Sequence, residues 1–247
     1  MLTAPGSLTT ILRERAGLLG HDLGSPHRAI VVDLRAQDQP MSDIALQRAA
    51  SNVFARTSVL SPRPLVAVYR RQLVALWPEE PSPKAPGEAL YQLVTSTSGV
   101  HDVTVAVSAV TSAPFGGAYQ TTRGAVALAR ASGRIGVVTL EELGVAGLLL
   151  QLPDPTPLRH FATRTLGPLA AHDAQRGGEL LKTLRTYLDS GFDRQATARA
   201  LVVHANTVSQ RLRRIHSLSG LDLGSPQAAM DARVAITLAD VAEALSS

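Results

Sequence analysis

No cysteine occurs anywhere in the 247 residues. Disulfides, thiolate metal sites and thiol redox chemistry are therefore excluded. Aromatic side chains make up only 4 % of the chain, too few for the base-stacking platforms that hold single strands or RNA. Long apolar runs are also missing: the longest, around 144–152, is far too short to span a bilayer. The N-terminal segment carries Arg13, Glu14 and Arg15 in its middle and lacks the basic-then-apolar layout of a secretory signal. A cytoplasmic protein without membrane contact is expected.

Catalytic signatures are equally scarce. There is no G-x-G-x-x-G, no Walker-type lysine loop and no G-x-S-x-G elbow. The seven histidines stand at 21, 27, 101, 160, 172, 204 and 216, without the i, i+3 or i, i+4 pairing of a helix-borne metal site. His101-Asp102 and His172-Asp173 set acid beside base, but adjacent residues point apart, so turn or surface placement is expected. Phe115-Gly116-Gly117 precedes a helical pattern and has the composition of an anion cradle, though a plain loop is the simpler reading. No catalytic residue, metal site or cofactor is expected, and the chain does not read as an enzyme.

What the chain does have is concentrated near its C-terminus. From Asp193 to Ile215 two short helical patterns flank a tight turn, the layout of a helix-turn-helix. Asp193 is placed to cap the first helix, which runs through small residues to Leu201, and Ala196 and Ala198 permit a close helix crossing. His204 is placed to cap the second, where Val208, Leu212 and Ile215 form an apolar stripe. The opposite face carries Ala205, Asn206, Ser209, Gln210 and Arg213, flanked by Arg211 and Arg214. Asn and Gln suit bidentate contact with adenine, and Arg with guanine. Thr207, Arg211 and Arg214 are placed to reach phosphates, and Thr197 on the first helix joins the candidate set. Between Asp193 and Leu218 five arginines stand against one aspartate, 5 − 1 = +4, which equals the net charge of the whole chain. The plain alternative is an ordinary solvated pair of amphipathic helices.

The run from Ala198 to Ile215 resembles the "A-x-x-L-x-V-H-x-N-T-V-x-x-R-L-x-R-I" signature of PucR/CdaR-type transcriptional regulators. Leu180 to Leu188 is similar to that family's "LL-x-T-L-x-x-Y-L" helix, and Leu218 to Leu223 to its closing "L-x-G-x-D-L". Position 205 departs from the pattern, being Ala where many members carry Arg, so base preference does not carry over. The resemblance implies a transcriptional regulator that binds double-stranded DNA as a homodimer.

Residues 27–142 alternate strand and helix signals in the order β-α-β-β-α-β-α-β, with strands at 29–34, 65–69, 73–77, 103–108 and 135–138. A small sandwich of helices on a mostly antiparallel sheet is expected. This order, with Arg123 to Val138, resembles the degenerate form of the nucleotide-cyclase-like fold of GGDEF domains. The resemblance implies that a catalytic loop would lie in the 65–77 hairpin, where Tyr69-Arg70-Arg71-Gln72 has neither glycine nor carboxylate. Asp33, near a metal-binding position, stands alone and is expected to be a cap or surface residue. Cyclase activity is not expected.

The expected fold class is α+β: a degenerate GGDEF-like α/β sandwich followed by an all-α helix-turn-helix domain. The expected divisions are 1–27 lead-in helix and linker, 28–141 GGDEF-like domain, 142–176 connecting helices and 177–247 DNA-binding domain. Leu8 to Pro26 resembles the helix that leads from an upstream sensor into the cyclase-like domain, and the expectation is either a naturally short form or a sequence that begins after such a sensor. The residues name no effector. Gly20 to Pro26 and Gly220 to Pro226 nearly repeat each other, which reads as shared helix-stop chemistry. The competing functional reading is a nucleotide or small-ligand binding module whose helical tail serves protein contacts.

Overall fold

A computed structural model describes residues 16–36, 39–98, 102–152, 154 and 156–246. The chain divides into two compact units, the second spanning Leu152–Glu243. Most of the expected lead-in helix lies outside the described residues; residues 16–18 are helical.

The first unit is built on β1 (His27–Ala36), β2 (Gln39–Pro40), β3 (Leu65–Tyr69), β4 (Gln72–Pro78), β5 (Asp102–Thr111) and β6 (Gly136–Thr139). Its helices are α1 (Asp43–Thr57), α2 (Ala85–Ser98) and α3 (Gly116–Ala131). The spatial order is β3-β4-β1-β5-β6, with β2 paired to β1, and only β5 and β6 run parallel. Strand parity explains the layers. Ile30, Val32 and Leu34 of β1 face the same core as Leu73 and Ala75 of β4 and the α1 and α2 side chains Leu46, Val53, Leu90 and Val94. Residues of the other parity, Asp33 and Arg35 among them, lie on the face where α3 packs against β1 and β5. A Cβ at Gly87 would come within 2.6 and 2.7 Å of the Val107 and Val137 side chains, so only glycine lets α2 sit this close to the sheet.

The 65–77 hairpin is tighter than the sequence suggests. Gln72 pairs with Tyr69 inside the ladder, and the turn is Arg70 and Arg71 alone, both at positive φ (48° and 60°). Beyond β6, Thr139 and Glu142 form the reciprocal capping box that their spacing spells: the Glu142 amide donates to Thr139 Oγ1, and the Thr139 amide to Glu142 Oε2. Lys84, hydrogen-bonded to Glu142, holds that carboxyl below its usual range. A short helix, α4 (Val145–Leu149), closes the unit.

The second unit is helical: α5 (Thr156–Arg176), α6 (Leu180–Asp189), α7 (Arg194–Leu201), α8 (Ala205–Ser219) and α9 (Pro226–Ser246). Leu166 and Leu169 of α5 join Leu184 and Leu188 of α6, Ile215 of α8 and Ala232 and Ala235 of α9 in one core. The helix expected to connect domains is thus part of this core. Asp173 of α5 fastens it further, its carboxylate accepting the Leu180 and Leu181 amides at the start of α6, both at 3.0 Å. This corrects the expected surface placement of His172-Asp173. Both side chains are largely buried, and His172 Nδ1 lies 3.6 Å from Asp173 Oδ1. Of the other expected pair, His101 lies outside the described residues, and Asp102 accepts a hydrogen bond from Arg130. The two near-repeats adopt one geometry: Gly20 and Gly220 take φ of 82° and 71°, and Asp22 and Asp222 accept the Gly24 and Gly224 amides, each at 3.0 Å. Among the described residues no helix is long and apolar enough to cross a membrane.

Candidate nucleic-acid interface

The turn between α7 and α8 is fixed by its caps. Asp193 Oδ1 accepts the amides of Gln195 and Ala196 at 2.7 and 3.1 Å, satisfying two of the orphan donors of α7. Those two amides hold the Asp193 carboxyl below its ordinary pKa. α7 ends on Val202 in the left-handed region (φ 54°, ψ 47°), 89 % exposed. The chain then re-enters helix at His204, whose Nδ1 accepts the Asn206 amide at 3.2 Å. Val208 and Ile215 are fully buried, which orients α8 and turns its other face outward.

That outward face brings most of the candidate residues together. His204, Asn206, Gln210, Arg213 and Arg214 are exposed, while Ala205, Thr207 and Ser209 are half-buried beside them. Asn206, Ser209, Gln210 and Arg213 follow helical spacing and share one side of the first three turns, the half of a recognition helix that meets base edges.

Two candidates are placed otherwise. Thr197 is 0 % exposed, and its hydroxyl donates to the Asp193 carbonyl at 2.6 Å. It belongs to the inside of the first turn of α7 and is not on the presented surface. Arg211 turns inward: Nη1 lies 3.1 Å from the Glu179 carboxylate and donates to Thr183 Oγ1 at 3.2 Å. Lys182 first and Arg211 second hold the Glu179 carboxyl below its usual range. Arg211 therefore clamps α8 to α6, and the outward cations of this stretch are Arg213 and Arg214.

A second basic region, in the first unit, escaped the sequence reading. Asp33 is neither a cap nor exposed: it sits mid-strand, buried, ion-paired with Arg130 and with Arg35 at 3.0 Å. Arg130 also donates to Asp102 Oδ1 at 2.8 Å. Beside this network α3, β1 and the Arg70-Arg71 turn enclose a cavity of about 620 Å³. The available signal was charged residues at inward strand parity and two arginines seven apart on α3. At the start of α3 no side chain caps the helix at Phe115. Among the described residues no three His, Asp or Glu side chains gather as a metal site.

Comparison with known proteins agrees with this division. Residues 6–130 match the family described as the GGDEF-like domain, and residues 180–238 that described as the PucR C-terminal helix-turn-helix domain. An uncharacterized protein of Mycobacterium tuberculosis is 42 % identical over 85 residues, 34 % of this chain and 20 % of the relative. The purine catabolism regulatory protein of Bacillus subtilis is 37 % identical over 90 residues, 36 % of this chain and 17 % of its own length. The proline-responsive transcriptional activator PutR of Bacillus subtilis is 29 % identical over 82 residues, 33 % of this chain and 20 % of its own. The matches thus span about a fifth of the length of these relatives. A regulator of polyketide synthase expression from Bifidobacterium adolescentis matches in structure with a TM-score of 0.34 and 20 % identity, over 87 % of this chain and 80 % of that one.

Proposed function

The chain belongs to the PucR-type family, built from a GGDEF-like domain and a C-terminal helix-turn-helix domain, and on that premise we propose that it is a transcriptional regulator that binds double-stranded DNA. The observation that carries this reading is the face of α8. A capped helix buries Val208 and Ile215 and presents Asn206, Gln210, Arg213 and Arg214 outward from its first turns. Seated in the major groove, Asn206 and Gln210 read base edges, while Arg213 and Arg214 meet a base or neighbouring phosphates. Regulators named among the relatives, for purine catabolism and for proline response, support the assignment to transcription. One such helix per subunit implies a homodimer reading two half-sites about 34 Å apart, one turn of the duplex.

The GGDEF-like unit serves this regulator without cyclase chemistry. Its hairpin turn offers two arginines where a cyclase needs backbone access and carboxylates for divalent metal. Purified protein with GTP and Mg²⁺ is expected to form no cyclic dinucleotide.

Fluorescence anisotropy with genomic duplexes over a salt series tests the DNA reading. Binding that weakens steeply as salt rises, together with fragments selected for a shared half-site, supports it. The absence of binding to any genomic fragment at low salt excludes it.

A further inference from the structure

Among the described residues of the helical unit two non-glycine residues take positive φ, Phe192 (66°) and Val202 (54°). The first is explained within the chain: the Phe192 ring packs edge-on against Tyr187, with centroids 5.7 Å apart. Val202 has no equivalent, being 89 % exposed. The turn imposes the left-handed conformation on position 202, because the Val202 amide donates to the Arg199 carbonyl at 3.2 Å and the Val203 amide to the Ala198 carbonyl at 3.0 Å. Glycine or asparagine meets that demand readily, whereas a β-branched side chain in this region is an outlier. An exposed valine alone is ordinary, and a strained residue alone can be locked by its packing. Val202 is strained and exposed at once, so burial within the chain does not offset the strain.

Its place in the fold decides what can cover it. Val202 closes α7 and stands three residues before Ala205, the first residue of α8, so their backbones lie within about 11 Å of each other. Between them Val203 is half-buried, and His204 is committed through Nδ1 to the Asn206 amide. Val202 is thus an apolar side chain fully presented at the entrance to α8. The exposed residues that follow, Asn206 and Gln210, offer hydrogen-bond donors and acceptors and read polar base edges. A thymine also shows a C5-methyl group in the major groove, and apolar contact is what reads it. The start of a recognition helix, with the turn before it, is the part that meets the bases.

We propose that Val202 is a further specificity-determining residue, its methyl groups packing on the C5-methyl of a thymine in each half-site; this rests on the DNA reading given above. The strain of the turn is then offset only in the complex, where DNA covers the side chain. The contact adds an apolar preference beside the hydrogen-bond readout of Asn206 and Gln210, and it is independent of the phosphate contacts of the arginines.

The probe is a duplex fragment selected from genomic DNA by the full-length protein, with each thymine replaced in turn by uracil, which lacks only the methyl group. Affinity is measured for the wild-type protein, for Val202→Gly and for Val202→Asn. Both substitutions suit a left-handed turn, and chemical denaturation of each variant checks that the helical unit is intact. One uracil is expected to weaken wild-type binding about fourfold, the worth of one buried methyl group. On the unmodified fragment both variants are expected to lose about that factor or more, and both are expected to be indifferent to that same uracil. A uniform loss on all duplexes with the uracil sensitivity kept overturns the proposal, as does wild-type binding that no uracil affects. Variants that bind the unmodified fragment as tightly as the wild type overturn it too. Each of these results leaves the DNA reading standing. That reading fails when the wild-type protein selects no fragment, and the assignment of Val202 then fails with it.

Discussion

Arginine is used in opposite ways in the two units. On α8, Arg213 and Arg214 stand exposed on a convex helix, and no ion pair is made by them among the described residues. In the GGDEF-like unit, five arginines converge on one concavity and are partly neutralised by Asp33, Asp102 and, at the rim beside Arg71, Asp43. Convex, solvated cations act through a screened field, with a reach of about 10 Å at 0.1 M salt, and suit an extended polyanion. Converging cations act on one another at close range, with Arg123 buried and Arg130 half-buried inside the concavity and Arg70 and Arg71 exposed at its rim. Charge count does not distinguish these uses; curvature and burial do. Arg211 makes the point within a single helix, since two residues from Arg213 it is turned inward onto Glu179 and Thr183.

The largest expected effect is on the convex side. Arg213→Ala/Arg214→Ala should weaken binding to every duplex, and the plot of log affinity against log salt should shallow by about 1.8 if both reach phosphates, about 0.9 for each. An unchanged slope would show that the two side chains do not meet phosphate, and the contrast between the two regions would fail. Asn206→Ala should discriminate among operator variants instead, losing about 1–3 kcal/mol of preference at one base position. If the ranking of variants is unaltered, Asn206 is structural. Val202→Gly should raise the stability of the helical unit by about 1 kcal/mol, because a β-branched residue in the left-handed region is strained and glycine is not. Chemical denaturation followed by circular dichroism reads that gain. Arg211→Ala should cost about 1 kcal/mol or less of the same stability, its ion pair being partly solvated, and should leave the salt slope of DNA binding unchanged.

The smallest effect is a pH dependence. Two backbone amides hold Asp193 below its ordinary value of 3.8. A carboxyl lowered by folding contributes stability above its unfolded pKa and loses it as pH falls through the folded one. The cap of α7 should therefore persist through the mild acid range and fade only below that ordinary value. Asp193→Asn keeps an acceptor but removes the titration, so the acid slope of helical stability should flatten.

The features legible in the sequence were those set by near neighbours. Asp193 and His204 cap as their positions suggest, because a cap depends on residues two and three along the chain. The strands were legible from parity and apolar runs, and the fold order followed from them. Contacts set by tertiary approach were hidden. Arg211 looked like a phosphate contact because nothing local reveals Glu179 across the helix pair. Asp33 looked isolated because its partner Arg130 lies 97 positions away. Thr197 looked available because burial of a small polar side chain depends on which helix covers it, while its hydroxyl finds a backbone carbonyl four residues back. Leu166 and Leu169 gave a clear apolar stripe, but the stripe could not say which core it would enter.

The last helix carries a separate lesson. α9 meets its neighbours largely through alanine, with Ala232 and Ala235 fully buried and Ala228 and Ala239 beside them. Such a surface has little relief, and a low-relief helix can slide by a turn with small change in packing. Two reciprocal ion pairs act against that slip. Arg185 of α6 holds Asp240 through both guanidinium nitrogens at 2.7 and 2.6 Å, and Arg233 of α9 holds Asp189 of α6 at 2.5 Å and donates to the Leu188 carbonyl. Because each helix supplies one cation and one anion, displacement in either direction separates both pairs at once. They act as dowels, defining alignment more than adhesion.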